Sequence, residues 1–339
     1  MSLSLHHIHV AFGNKTVLHD FNLHLAQGES ACLLGQSGCG KTTALRVIAG
    51  FETPQSGQIM TDGRDLTNIP AHLRQIGMVF QDYALFPHLT VADNIAFGLH
   101  HLPRSERQQR TVELAELTGL TDLLKQYPHQ ISGGQQQRTA LARALAPRPK
   151  LILLDEPFSN LDADLRTQLS QDVKKLLKQQ NITALTVTHD QAEAFAVADK
   201  IGVMRNGKLV QWDTPQNIYH NPADAQIAAF IGSGSLITGQ VRQNGEVQTA
   251  LGCLKVDTRD LTPQTTVRVF VRPESLIVAD NETVGTPAQI LEQEFKGSHW
   301  AHTLVLSDGS KLLLHTAQPF SGSLLVRHQG HAVVFADNE

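Results

Sequence analysis

The chain has 339 residues, 41% of them hydrophobic, so it is long enough for two domains with packed cores. Its formal net charge is −4, which argues against nucleic acid as the main partner, because proteins that bind a phosphate backbone usually carry a basic excess. No apolar stretch approaches the roughly 20 residues that cross a bilayer, and the first residues lack a signal-like core, so we expect a cytosolic chain.

The first predicted elements are strands followed by a helix. Alternating apolar residues predict two strands near the beginning of the chain. A continuously apolar strand at 31–34 leads into a glycine-rich loop at 35–42. The helix that starts at Lys41 is predicted to end at Gly50, which is a typical C-cap residue.

The loop at 35–42 matches the phosphate-binding pattern G-x-x-x-x-G-K-[ST]. Inward-pointing backbone N–H groups and the positive end of the helix dipole favour a phosphate ligand there. Lys41 is expected to reach the outer phosphates, and the Thr42 hydroxyl is expected to bind Mg²⁺. The predicted nucleotide-binding residues of this region are Gly35, Gln36, Ser37, Gly38, Cys39, Gly40, Lys41, Thr42 and Thr43. For Cys39, an incidental small residue is favoured over a redox switch.

Residues 82–135 are predicted to form a helical insert in an otherwise α/β domain. A capping box at residues 105–108 is predicted to open one of its helices. Near the end of the insert, Ser132 and two glycines precede a helix that is predicted from Gln135, which indicates a second anion-binding helix N-terminus. One nucleotide does not need two such sites in one subunit. The pattern therefore favours two subunits that face each other head to tail.

Two carboxylates follow a predicted buried strand at 151–154. Asp155 is expected to hold Mg²⁺, and Glu156 is expected to polarise the attacking water as a general base. A further buried strand at 183–187 is followed by His189. The two carboxylates and the phosphate-binding loop together predict a site for nucleotide hydrolysis, whereas a lone histidine after a strand is usually structural.

The last hundred residues have a different pattern. A Gly-Ser-Gly-Ser segment at 232–235 indicates a linker, and the regularly spaced short strands after it indicate a small barrel or sandwich. The predicted fold class is an α/β domain over 1–235 with a helical insert, followed by an all-β domain over 236–339.

This set of motifs resembles the ATPase subunits of ABC transporters over essentially the whole chain. Gln81 matches the glutamine of the Q-loop in that family, and His189 matches the switch histidine. Residues 131–135 match the family signature Leu-Ser-Gly-Gly-Gln, with Ile131 in place of leucine. Phe12 occupies the place of the aromatic residue that stacks on adenine.

The resemblance implies a P-loop ABC ATPase domain and an OB-like regulatory barrel, with ATP and Mg²⁺ as cofactors. It implies catalytic roles for Glu156, His189, Gln81 and Lys41, and Mg²⁺ contacts for Thr42, Gln81 and Asp155. It further implies nucleotide contacts from Ser132, Gly133, Gly134 and Gln135, and from Asp162 in the D-loop at 159–162, where Asn160 replaces a common alanine.

The same resemblance implies the partners. Two copies are expected to close on two ATP molecules, each held between residues 35–42 of one copy and 132–135 of the other. Separate permease subunits are expected to provide the path through the membrane, with an extracytoplasmic binding protein as an indirect partner. The predicted location is peripheral, at the cytoplasmic face of a bacterial inner membrane.

The expected cargo is ferric iron. The β domain with Val-Arg-Pro-Glu at 271–274 resembles regulatory domains of importers for sugars, polyamines, sulfate and ferric iron, and local stretches such as 158–163 and 189–197 are most similar to the ferric-iron group. A sugar, polyamine, sulfate or other anion importer is the alternative. A soluble regulatory ABC ATPase is the alternative of another class, although it would not need both Glu156 and His189.

Overall fold

The computed structural model describes residues 1–159, 161–243, 245–256, 261–279, 285–330 and 332–337. The chain packs as two compact units, Met1–Pro215 and Gln216–Glu339. Among the described residues, no helix combines the length and the apolar character that a membrane crossing needs.

The described residues of the first unit form ten strands and six α-helices. The strands are β1 (Leu3–Phe12), β2 (Lys15–Leu25), β3 (Ser30–Leu34), β4 (Ser56–Thr61), β5 (Arg64–Asp65), β6 (Ile76–Val79), β7 (Leu151–Asp155), β8 (Thr183–Thr188), β9 (Lys200–Arg205) and β10 (Lys208–Asp213). The helices are α1 (Lys41–Ala49), α2 (Val91–Ala96), α3 (Arg104–Leu117), α4 (Gly133–Leu145), α5 (Ala163–Gln179) and α6 (Gln191–Val197).

The strands form two sheets, and the larger one positions the site. Strands β1, β2, β4 and β5 make an antiparallel sheet in the order β2-β1-β4-β5. The second sheet has the order β10-β9-β3-β8-β7-β6, in which all pairs except β9–β10 are parallel. Every residue of β3, β7 and β8 is buried, as their continuous apolar runs predict for strands covered on both faces.

The parallel arrangement brings the predicted motifs to one edge. Strands β3, β6, β7 and β8 run in the same direction, so their carboxyl ends lie side by side. The chain leaves these ends at Gly35, Phe80, Glu156 and His189. The glycine-rich loop, the Q-loop glutamine, the acidic pair and the histidine therefore follow four strands of one sheet, at the edge where open α/β sheets bind their ligands.

The predicted helical insert contains α2, α3 and short 3₁₀ turns, and its buried residues share a core with α4 and α5. The predicted capping box at 105–108 is wrong. Helix α3 already begins at Arg104, after Pro103 as its N-cap, and no side chain caps it. Proline has a fixed φ and no backbone N–H, so it is tolerated at a helix start. With Pro103 as the N-cap, Ser105 lies inside the first turn and cannot serve as the cap.

The second unit is built mainly of strands. They are β11 (Ser235–Val241), β12 (Glu246–Thr249), β13 (Gly252–Lys255), β14 (Thr266–Val271), β15 (Leu276–Val278), β16 (Thr286–Phe295), β17 (Trp300–Val305), β18 (Lys311–Thr316), β19 (Ser323–His328) and β20 (Val333–Ala336). Within the described part of this unit, they pair in two five-stranded antiparallel sheets, β13-β12-β11-β14-β20 and β15-β19-β16-β17-β18, which share one apolar core. This confirms the predicted fold class, with an all-β, OB-like part after the α/β part.

The division between the units falls before the predicted boundary at residue 235. Helices α7 (Pro215–His220) and α8 (Ala225–Phe230) account for the difference. Ala225 and Ala228 of α8 pack with Phe270 of β14, and the Arg272 guanidinium donates to the Tyr219 carbonyl at 3.1 Å. These contacts group the segment 216–235 with the β strands.

Candidate active site

The glycine-rich loop connects β3 to the first turn of α1. Gly38 and Gly40 have φ angles of 80° and 106°, a backbone conformation that favours glycine. A Cβ atom at Gly40 would lie 2.9 Å from both Leu18 Cδ2 and the Val17 carbonyl oxygen. The loop conformation therefore depends on glycine at this position, both for its backbone angle and for the space beside β2.

The side chain of Lys41 is buried inside the loop. Its Nζ atom donates to the carbonyl oxygens of Gly35 at 2.8 Å and Gln36 at 3.1 Å. The residue is only 5% exposed, so its charge is held by backbone oxygens rather than by bulk water. A fixed ammonium group at the start of a helix is suited to binding a phosphate.

Thr42 and Asp155 meet across the edge of the sheet. The Thr42 hydroxyl donates to Asp155 Oδ1 at 3.2 Å. Burial raises the pKa of Asp155, and the bond from Thr42 partly offsets this shift. A hydroxyl and a carboxylate in contact are the type of oxygen donors that Mg²⁺ prefers, so these two residues fit the predicted metal site.

Glu156 contacts two of the other predicted residues. Its Oε2 atom accepts from Gln81 Nε2 at 3.0 Å, and its Oε1 atom lies 3.2 Å from His189 Nδ1. The residue has a φ of 45°, and its backbone N–H donates to the Val187 carbonyl of β8 at 2.9 Å. The left-handed turn thus directs the carboxylate toward the strand ends on both sides.

A cleft of about 510 Å³ joins the loop and this cluster. Its volume lies in the range of small-molecule sites. The lining residues are Ser37, Gly38, Gly40, Lys41, Thr42 and Thr43 of the loop region, with Gln81, Glu156, His189 and Val17. Val17 is the one member that sequence reasoning missed, and its position on β2 carries no local signal of a ligand.

Other predicted residues lie outside this lining. Phe12 ends β1 with its side chain 49% exposed. In the loop, Gln36 is exposed while Gly35 and Cys39 are buried. Asp162 is the N-cap of α5, where its side chain accepts from Leu165 N, and Asn160 lies outside the described residues.

The second predicted anion site is a well-formed helix start. Ser132 Oγ accepts from Gln135 N at 3.4 Å, and Gln135 Oε1 accepts from Ser132 N at 2.9 Å, so the two residues form a capping box. Gly133 and Gly134 open the helix α4. None of these four residues lines the cleft that contains Lys41. The two predicted anion sites are therefore separate surfaces of one chain.

A buried carboxylate lies beside the end of β8 and was missed by the sequence analysis. Glu193 is 4% exposed, and its Oε2 atom accepts from the Thr188 hydroxyl at 2.7 Å. Burial, as the largest cause, raises the pKa of Glu193 to about 7, and the charge of Asp190 adds to the shift. In the sequence, Glu193 follows Asp190 by three residues, as an acidic residue in the first turn of a capped helix commonly does. This local pattern does not indicate that the Glu193 side chain is buried.

This pKa predicts a pH-dependent contribution to folding. Because the folded-state pKa is raised, the stabilising contribution is complete below pH 4.5, the ordinary value, and is lost as the pH rises through about 7. Glu193→Gln is therefore expected to raise the free energy of unfolding by roughly 3 kcal/mol at pH 8 and by almost nothing at pH 4.5. Urea unfolding at both pH values tests this, with the exposed Glu116→Gln as control. An equal effect of Glu193→Gln at both pH values would contradict the prediction.

Comparisons with known proteins cover both parts of the chain. The family model described as ABC transporter matches residues 18–159. Fe(3+) ions import ATP-binding protein FbpC 2 of Pectobacterium atrosepticum is 46% identical over 303 residues, which are 87% of this chain and 86% of that protein. Its counterpart FbpC in Vibrio cholerae is 42% identical over 92% of this chain and 90% of that protein.

Two further similarities are informative. Sulfate/thiosulfate import ATP-binding protein CysA 2 of Chromobacterium violaceum is 46% identical over 81% of this chain and 75% of that protein. Among solved structures, the ATP-binding cassette MJ0796, a dimer in a post-hydrolysis state bound to ADP and Pi, has a TM-score of 0.57 and 30% identity. That match covers 63% of this chain and 98% of the cassette.

Proposed function

The chain belongs to the ABC transporter family of ATP-binding proteins, as its motifs predicted, and from this we propose that it hydrolyses ATP to power the import of ferric iron. The observation that best supports hydrolysis is the contact of Glu156 with both Gln81 and His189 at the edge of the cleft that contains Lys41. Similarity to the Fe(3+) import proteins over nearly their whole length supports the cargo.

We propose that the phosphates of ATP bind in the loop at 35–42. The backbone N–H groups and the Lys41 ammonium would neutralise the negative charge, and Val17 would line the same cleft. Thr42 and Asp155 would hold Mg²⁺, which supplies charge stabilisation to the phosphates. The bond between these two side chains already places a hydroxyl and a carboxylate together.

The chemical step is proposed to centre on Glu156. Its carboxylate would accept a proton from a water molecule as the water oxygen bonds to the γ-phosphorus. The bond from the γ-phosphorus to the bridging oxygen breaks, and ADP and inorganic phosphate form. Gln81 and His189 are proposed to orient this carboxylate, because each of them contacts one of its oxygens.

A second copy of the chain is proposed to complete the site. Ser132, Gly133, Gly134 and Gln135 lie at the start of α4 and outside the cleft of their own chain. In a head-to-tail dimer this helix start would face the γ-phosphate held by the other copy. Asp162 is also proposed to contact the nucleotide, and Phe12 is proposed to stack on adenine. The similarity to a cassette that forms a dimer, at 30% identity, supports dimerisation of this chain. Closure would exclude water other than the attacking molecule.

The partners follow from the import role. We propose that permease subunits bind this ATPase at the cytoplasmic face of the inner membrane, and that an extracytoplasmic binding protein delivers the cargo to them. The acidic net charge of −4 supports the absence of a nucleic-acid partner. The second unit is proposed to be a regulatory domain.

Uptake of labelled ferric iron tests the cargo. Cells without this chain are expected to lose iron uptake, and wild type but not Glu156→Gln is expected to restore it. Labelled sulfate and thiosulfate uptake in the same cells is the matched control, because a sulfate/thiosulfate import protein is equally similar over a smaller part of the chain. If sulfate uptake falls and iron uptake does not, the iron proposal is wrong and sulfate import takes its place.

A further inference from the structure

The backbone directly after the Q-loop glutamine has an uncommon conformation. Tyr83 and Ala84 are consecutive non-glycine residues with φ angles of 61° and 44°. Residues other than glycine rarely adopt this left-handed backbone conformation, which persists where the surrounding structure enforces it. The Tyr83 side chain is 5% exposed and packs in the core shared by the helical insert and α4. Its surroundings therefore hold the segment from one side.

Arg143 of helix α4 holds the same segment from the other side. Its Nη1 atom donates to the Ala84 carbonyl at 2.7 Å, and its Nη2 atom donates to the Tyr83 carbonyl at 2.8 Å. The guanidinium carbon lies 5.4 Å from the centroid of the Phe86 ring, within range of a cation–π contact. One planar group thus fixes both carbonyls of the left-handed pair, which a lysine ammonium is less suited to do.

These contacts connect two parts of the proposed ATPase. Gln81, two residues before Tyr83, donates to Glu156 at 3.0 Å. Arg143 lies on the helix whose first turn contains the capping box of Ser132 and Gln135. The guanidinium is therefore a direct bridge between the segment that carries Gln81 and the helix that would serve the ATP of the facing copy.

We propose that Arg143 is a positioning residue for ATP hydrolysis. By fixing the backbone of Tyr83 and Ala84, Arg143 keeps the Gln81 amide in its hydrogen bond with the Glu156 carboxylate. The position of Gln81 thereby depends on helix α4, which carries Arg143. This inference rests on the proposed ATPase function. It assigns to Arg143 an effect that passes through Gln81, without contact to the nucleotide.

A double-mutant cycle tests this path. Arg143→Ala is expected to lower kcat for ATP hydrolysis about ten-fold while ATP binding changes less than about two-fold, because misplacement of a site residue mainly affects the reaction step. In a Gln81→Ala background, the same substitution is expected to lower kcat by no more than about two-fold, because residues that act through one another are not additive. Arg143→Lys, measured in the same cycle, is expected to lower kcat about three-fold.

Arg110→Ala is the matched control. Arg110 also donates to two backbone carbonyls, those of Leu145 at 3.1 Å and Ala146 at 3.4 Å, but these carbonyls belong to the C-terminal end of α4 and not to the segment that follows Gln81. The kcat of the Arg110→Ala variant is expected to stay within about two-fold of that of the wild type. Equal losses from Arg143→Ala with and without Gln81, or an unchanged kcat in both Arg143 variants, would overturn the proposal. If Arg143→Ala does not fold, the Arg143→Lys cycle decides. A wild-type chain without ATPase activity would instead overturn the proposed function.

Discussion

Glu156→Gln is expected to lower kcat for ATP hydrolysis by about a thousand-fold, within the range of general base catalysis. Glutamine has the size of glutamate and still offers an oxygen to Gln81, but its amide does not accept the proton of the attacking water. Among the described residues, no other carboxylate lines the cleft and could replace that of Glu156.

Phosphate release in single-turnover reactions measures this effect, and equilibrium binding of ATP shows whether the site itself is intact. ATP binding is expected to stay within about three-fold of wild type. Glu116→Gln, the same substitution at an exposed glutamate of α3, is the control and is expected to keep wild-type activity. A Glu156→Gln variant with nearly unchanged turnover would contradict the catalytic role of Glu156, and a wild-type chain that binds ATP without turnover would favour a regulatory nucleotide-binding module.

Lys41→Ala is expected to weaken ATP binding on the order of 10- to 100-fold, because it removes a charge-assisted bond to phosphate. The Lys41 side chain is buried, and its ammonium already donates to the Gly35 and Gln36 carbonyls. Little side-chain entropy is therefore lost when it binds the phosphates. Hydrolysis at low ATP concentration is expected to fall at least as much.

Titration with a fluorescent ATP analogue measures this loss, and the thermal unfolding of the variant without nucleotide shows whether the loop still folds. Lys125→Ala, which removes an exposed lysine outside the cleft, is the control. Wild-type affinity in Lys41→Ala would mean that the nucleotide binds elsewhere.

The sequence predicted the site because its motifs follow buried parallel strands. Once the apolar runs at 31–34, 151–154 and 183–187 are read as strands of one sheet, the residues after them must meet at one edge. This reasoning predicted that Glu156 meets the loop that contains Lys41, whereas the role of His189 was implied by the resemblance to the family. The glycine pattern of the loop likewise predicted its wrapped backbone.

The remaining features depend on contacts between distant residues. Val17 lines the cleft because β2 passes beside Gly40, and alternating strand residues do not indicate which one meets a ligand. The left-handed Tyr83 and Ala84 contain no glycine or asparagine, so the local sequence favours no such turn; the enforcing donor is Arg143, far along the chain. Burial of Glu193 is likewise a property of the folded unit.

Retention of ATP through rapid gel filtration tests the composite site most directly. With Mg²⁺ present, Glu156→Gln is expected to retain about one ATP per chain, because closure of two copies traps the unhydrolysed nucleotide. Adding Ser132→Arg is expected to abolish retention while leaving ATP binding to a single chain nearly unchanged, since Ser132 lies outside the cleft of its own chain. Full retention in the variant that carries both substitutions would contradict a site shared between two copies.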